Sequence, residues 1–131
     1  MKVLDTDTCI EILRGNERVI EQRLATEDDV ATTWITAAEL RYGAAKSVAP
    51  KKNHSLVTKF LATLPVLGLD AASAEIFGEA KALLEKQGQR LADADLLIGA
   101  IAAAHGAVIV TGNRKHYTRI PGVTLEDWIR S

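Results

Sequence analysis

A parallel β-sheet with helices on both faces is the fold the sequence predicts, and three observations predict it. Short β-branched runs alternate with helical patterns along the whole chain, and strands separated by helices imply right-handed crossovers between parallel neighbours. The 131 residues make one domain rather than two, and a domain of that size buries roughly 68% of its unfolded surface without staples. Apolar residues at 47% and charged residues at 25% exclude disorder and collagen-like repeats. A single cysteine, Cys9, excludes an intrachain disulfide and a Cys-rich zinc cluster and fits a reducing compartment.

The elements follow in order. Lys2–Leu4 reads as a strand, then a helix carries Cys9, Ile12 and Leu13 on one face and stops at Gly15. Glu17–Ala25 is a second helix, with Val19, Ile20 and Leu24. Val30–Ile35 is a strand and Thr36–Ser47 a helix containing Leu40 and Ala44. Pro50 opens a helix whose Leu56, Val57, Phe60, Leu61 and Leu64 keep helical spacing. Pro65–Leu69 is a short strand. Asp70 caps a long helix that buries Ile76, Phe77, Ala80, Leu83 and Leu84 and ends at Gly88. Asp93–His105 is a helix, Ala107–Thr111 a strand, and Val123–Leu125 an edge strand after the turn Pro121-Gly122. The nearly all-apolar Leu96–Ala104 reads as core.

Several function classes fall away. The opening Met1-Lys2-Val3-Leu4-Asp5 meets an acid before a signal-peptide run can develop. Leu96 to Ala104, the longest apolar stretch, is about half the roughly 20 residues a membrane span needs. A cytoplasmic protein without membrane contact is expected. A net charge of −1 is not that of a protein coating nucleic acid by bulk attraction, so any action on nucleic acid must be local. No G-x-G-x-x-G follows the first strand, and no G-x-S-x-G elbow is present.

In open parallel sheets, ligands bind beyond the carboxyl ends of the strands, and acids stand there. Asp5 ends the first strand, Glu39 follows the second, and Asp93 and Asp95 open the helix before the last long strand. Clustered carboxylates repel and raise one another's pKa, a penalty a divalent cation removes. The donors are oxygen, and His54, His105 and His116 lack metal-ligand spacing, so Mg²⁺ or Mn²⁺ suits the site better than Zn²⁺.

Each acid also has a structural reading. Asp7 or Thr6 is a natural N-cap for the first helix. Thr36-Ala37-Ala38-Glu39 matches the S/T-x-x-E capping box, so Glu39 is either a cap or a ligand. Asp93 and Asp95 stand about 200° apart on a helix. Asp93 is therefore read as the N-cap and Asp95 as the residue facing the cleft, kept ionised by the helix dipole. Gly112-Asn113-Arg114-Lys115-His116-Tyr117 is either a solvated loop or a phosphate-gripping edge. Arg41 and Lys46, with Lys51-Lys52, extend that basic footprint, and Cys9 reads as packing.

Five segments carry a family resemblance: Val3-Leu4-Asp5-Thr6-Asp7, Ala38-Glu39-Leu40-Arg41-Tyr42-Gly43, Asp95-Leu96-Leu97-Ile98-Gly99-Ala100, Val110-Thr111-Gly112-Asn113, and Pro121-Gly122-Val123 through Leu125-Glu126-Asp127-Trp128. Their order and separation resemble a VapC-type toxin ribonuclease of the PIN-domain family, nearly end to end. The resemblance implies a three-layer α/β/α sandwich with a central parallel sheet of four to five strands. It further implies Mg²⁺-dependent RNA cleavage with the family's first three acids at Asp5, Glu39 and Asp95, a homodimer, and a small antitoxin partner. Two departures stand out: Asp7 replaces a frequent Asn, and Asn113 and His116-Tyr117 stand where relatives often carry a fourth acid and Asp-Phe. A three-acid, one-ion resting site is therefore expected.

On this reading Asp5 and Asp95 hold the ion and Glu39 is a further ligand or orients the attacking water. Structured RNA with an exposed tRNA or rRNA loop is the expected substrate. Asp93, Asp7, Asn113 and Thr6 are additional site candidates, and Arg114, Lys115, His116 and Arg41 are candidate phosphate contacts. Two rivals differ in class. Asp5-Thr6-Asp7-Thr8 also resembles the D-x-D-x-T signature of haloacid-dehalogenase-type phosphatases, with Asp5 as nucleophile. The other rival is a PIN-like module that binds RNA or a partner without cutting.

Overall fold

Alternation along the short strands builds the two cores of the molecule. In the computed structural model, which describes residues 1–130, strand β1 (Lys2–Leu4) points Val3 to one side of the sheet and Leu4 to the other. Strand β4 (Val108–Val110) does the same with Ile109 and Val110, as the two-residue period of a strand requires. With β2 (Val30–Thr33), β3 (Val66–Leu67) and β5 (Thr124–Glu126) they form a five-stranded sheet in the order β3-β2-β1-β4-β5. Every pair is parallel. All strands thus present their carboxyl ends at one edge, and β1 lies at the centre.

Helices cover both faces. Helices α1 (Thr6–Leu13), α2 (Glu17–Ala25), α3 (Trp34–Ala45) and α4 (Pro50–Leu61) supply Cys9, Val19, Leu40, Ala44, Val57 and Phe60 to the core around Leu4 and Val110. Helices α5 (Ala71–Lys86) and α6 (Asp93–Ala104) supply Ala80, Leu84, Leu96, Ile98 and Ala102 to the core around Val3 and Ile109. Burial of each large aliphatic chain contributes roughly 1.5–3 kcal/mol. The predicted sandwich is the observed one.

Local chemistry sets the boundaries. Gly15, at φ +81°, turns the chain between α1 and α2 in the left-handed region open to glycine, and Asn16 caps α2 by accepting from Arg18 and Val19. Asp70 and Ser73 form a reciprocal capping box on α5. Strand β2 stops at Thr33 rather than the predicted Ile35 because the Thr33 hydroxyl accepts from the Thr36 amide and starts α3 at Trp34. The predicted loop after β4 holds a short helix, α7 (Arg114–Tyr117). Leu83, 40% exposed, does not join the core predicted for it, and Leu24 on α2 is 80% exposed. Gly99 of α6 lies flush against the segment after α7, where a Cβ would overlap Ile120 Cδ1.

Candidate active site

Asp5 ends β1 and caps α1, so strand and helix together fix it. Its amide donates to the Val110 carbonyl at 3.1 Å, and its Oδ1 accepts from the Thr8 amide at 2.9 Å. The first helix is therefore capped by Asp5, not by the predicted Thr6 or Asp7: helical geometry begins one residue after the strand ends. Asp5 is 3% exposed. Burial pushes its carboxyl up to about 6, against the lowering effect of bonds from Thr111 and Thr8, and the Asp7 charge adds to the rise.

Asp7, exposed on the first turn of α1, accepts from Asn113 Nδ2 at 3.2 Å. That bond brings two of the additional candidates together across the sheet edge. Thr6 Oγ1 donates to Glu39 Oε1 at 2.6 Å and stands 3.1 Å from Thr36 Oγ1. The predicted capping box at Thr36 does not form, because Thr33 is the cap and Thr36 already lies in the first turn. Glu39 instead reaches α1 from well inside α3, which its capping reading did not anticipate.

On α6 the N-cap is Ala92, without a side-chain cap, and Asp93 is the first helical residue. The expected Asp93 cap is thus corrected: its carboxylate turns outward to Lys81 at 3.0 Å. Asp95, two positions on, is half-buried, with Oδ2 3.8 Å from His116 Nδ1. Burial raises its pKa and Asp7 adds to the rise, while His116 and a hydrogen bond with Tyr117 oppose it.

Tyr117 shows how these acids are arranged. Burial raises its pKa first, followed by the charges of Asp5, Asp95, Asp7 and Glu39. One phenol therefore feels all four carboxylates. They share an edge without closing into a cage, since among the described residues no three His, Cys, Asp or Glu side chains stand close enough to grip a metal ion. A loose, all-oxygen array with raised carboxyl pKa values fits a hard cation that keeps several waters, as Mg²⁺ does.

The basic candidates divide. Arg114, Lys115 and His116 are exposed on α7 beside the acids. Arg41 instead ties α3 to α4, donating to Thr58 Oγ1 at 2.8 Å and the His54 carbonyl at 3.2 Å. A groove of about 630 Å³ runs away from Thr6, Asp7 and Glu39, floored by Ile10, Leu13, Leu40, Leu56 and Val57. Sequence reasoning missed Thr8 and Thr111, which hold Asp5; a hydroxyl closing the strand beside β1 was the available signal. It also missed the burial of Tyr117, for which the three-residue spacing to Ile120 was the clue.

Acids range along the carboxyl edge of the parallel α/β domain, with the exposed Arg114 and Lys115 beside them. The PIN domain matches residues 2–122, and the chain belongs to that family. Within it the chain is similar to the tRNA(fMet)-specific endonuclease VapC of Salmonella typhimurium, 36% identical over 127 residues and 96% of each chain. It is also similar to ribonuclease VapC2 of Rickettsia felis, 33% identical over 129 residues and 96% of each chain. The crystal structure of DNA-bound VapBC from Salmonella typhimurium contains a chain that superposes with a TM-score of 0.89, at 37% identity over 97% of both chains. The protein is thus an endoribonuclease of the VapC type. The phosphatase rival has no support from these relatives, and α1 starts directly after Asp5, leaving no loop behind that residue.

Proposed function

We propose that this chain is the toxin of a toxin–antitoxin pair and cuts structured RNA at an exposed loop in the cytoplasm, with Mg²⁺ as cofactor and Mn²⁺ as a substitute. The burial of Asp5 carries the proposal. A carboxylate at the centre of the edge, with its pKa raised to about 6, has no cationic side chain matched to it among the described residues. Asp5 and Asp95 would hold the ion. When bound, it supplies the charge that acidifies water and offsets the negative charge building on the phosphodiester. Thr6 fixes one Glu39 oxygen at 2.6 Å, leaving the other to orient the attacking water or to join the ion. Arg114, Lys115 and His116 grip flanking phosphates. The products are a 5′-phosphate and a 3′-hydroxyl.

A tRNA loop is the favoured substrate, because the Salmonella relative is named for a tRNA. The antitoxin seats an amphipathic segment in the groove between α1, α3 and α4, its apolar side chains on Leu13, Leu40 and Leu56 and a cationic residue toward Asp7 and Glu39. Toxin–antitoxin complexes among the similar structures support that partner, and a homodimer completes the assembly. Mapping RNA ends after induced expression tests the reading. Cuts confined to one loop, absent with Asp5→Asn, are expected; unimpaired cleavage by purified Asp5→Asn protein would sink it.

A further inference from the structure

The edge contains one buried polar group that none of these roles uses, the hydroxyl of Tyr117. The residue is 1% exposed and its ring packs in the cluster with Leu96, Ile98 and Ile120. Helix α6 sets the ring's position: a Cβ on Gly99 would stand 3.7 Å from Tyr117 Cδ1. Asp95 precedes Gly99 by four residues, so it shares that helix face about 6 Å further toward the helix start. A tyrosine ring anchored beside Gly99 spans that interval with its hydroxyl, and Tyr117 is among the groups that lower the Asp95 pKa. No buried side-chain polar atom among the described residues lacks a partner. Asp95 has otherwise only a 3.8 Å approach from His116, whose side chain is 46% exposed.

We propose that Tyr117 is a positioning residue: its hydroxyl donates its one hydrogen to Asp95 and fixes that carboxylate at the acidic edge. At neutral pH a phenol keeps its proton and can donate it to a carboxylate. A pinned carboxylate meets an ion without first losing rotamer freedom, the role outer partners play around metal ligands. The inference rests on the reading of Asp95 as an ion-holding acid.

Tyr117→Phe removes one oxygen and keeps the ring. Calorimetric titration with Mn²⁺ is expected to show affinity about tenfold weaker, with kcat lowered in proportion, KM for RNA unchanged and thermal unfolding close to the parent's. Unchanged Mn²⁺ affinity and kcat would overturn the proposal, as would a loss confined to KM. Adding Tyr117→Phe to Asp95→Asn should weaken Mn²⁺ binding no further; additive losses count against it. Should Tyr117→Phe fail to fold, the Tyr117 hydroxyl proton resonance of the parent protein decides. It should move in Asp95→Asn and stay in Asp93→Asn, and an unmoved resonance refutes the contact. Parent-like Mn²⁺ binding and cleavage by Asp95→Asn would instead remove the metal-site reading itself, a separate failure.

Discussion

Two groups of acids in this molecule receive opposite treatment. Glu126 lies 3.0 Å from Lys2 through Oε2 and accepts from Trp128 Nε1 at 2.7 Å through Oε1, and Asp28 stands 3.7 Å from the same lysine. Burial pushes Glu126 up, but those bonds outweigh it and hold its pKa below the usual carboxylate range. At the carboxyl edge Asp5 is buried more deeply, is given hydroxyl and amide donors but, among the described residues, no ammonium or guanidinium, and rises to about 6. A protein that matches a carboxylate with a lysine on β1 leaves the more buried Asp5, one residue past that strand, without a cation among the described residues. The first group is balanced within the protein; the second carries raised carboxyl pKa values of the kind that cluster at functional sites.

Asp5→Asn breaks the comparison with the largest effect. RNA cleavage is expected to fall by about a hundredfold or more, while the metal-free protein gains stability at neutral pH. The sign follows from linkage. Folding raises the Asp5 pKa from 3.8 to about 6, so the folded state binds the extra proton and loses stability as pH rises through that window. Roughly two units correspond to a cost of about 3 kcal/mol above pH 6. Thermal unfolding of metal-free parent and variant should therefore diverge at pH 7 and converge near pH 4; a variant less stable at pH 7 contradicts the assignment. Chelation comes next. Removing divalent ions should abolish cleavage, and restoring Mn²⁺ at about 100 times its Kd should stabilise the parent by about 2.7 kcal/mol without stabilising Asp95→Asn.

Glu39→Gln sharpens the contrast at smaller amplitude. The amide oxygen can still accept from Thr6, so the fold stays and cleavage drops about tenfold; full activity would assign Glu39 to holding α1 against α3 alone. Lys2→Met has the smallest effect. Leaving Glu126 unmatched should cost about 1 kcal/mol in urea unfolding, a value kept low because Glu126 remains 36% exposed, with cleavage unchanged. Lost cleavage there would mean the two acid groups are not separate.

Much of this was legible because strand and helix periodicities are local. Val3 and Leu4, Ile109 and Val110 announce a sheet buried on both faces, and Asp5 at the end of such a strand announces a cleft. The caps were less legible, since Thr6, Asp7, Thr33 and Thr36 are all competent N-cap residues and tertiary contacts choose among them. Asp93 shows the same limit: only the position of Lys81 on α5 reveals where its carboxylate turns. The burial of Tyr117 was hidden because its neighbours in sequence, Arg114, Lys115 and His116, are exposed and describe the opposite face of the turn.

Gly99 gives the ring of Tyr117 its seat against α6: a Cβ there would stand 3.7 Å from Tyr117 Cδ1 and would have to push aside the end of the Ile120 side chain. Helix α6 carries Asp95, and α7 carries Arg114 and Lys115. Packing between the two therefore hinges on a position without a side chain.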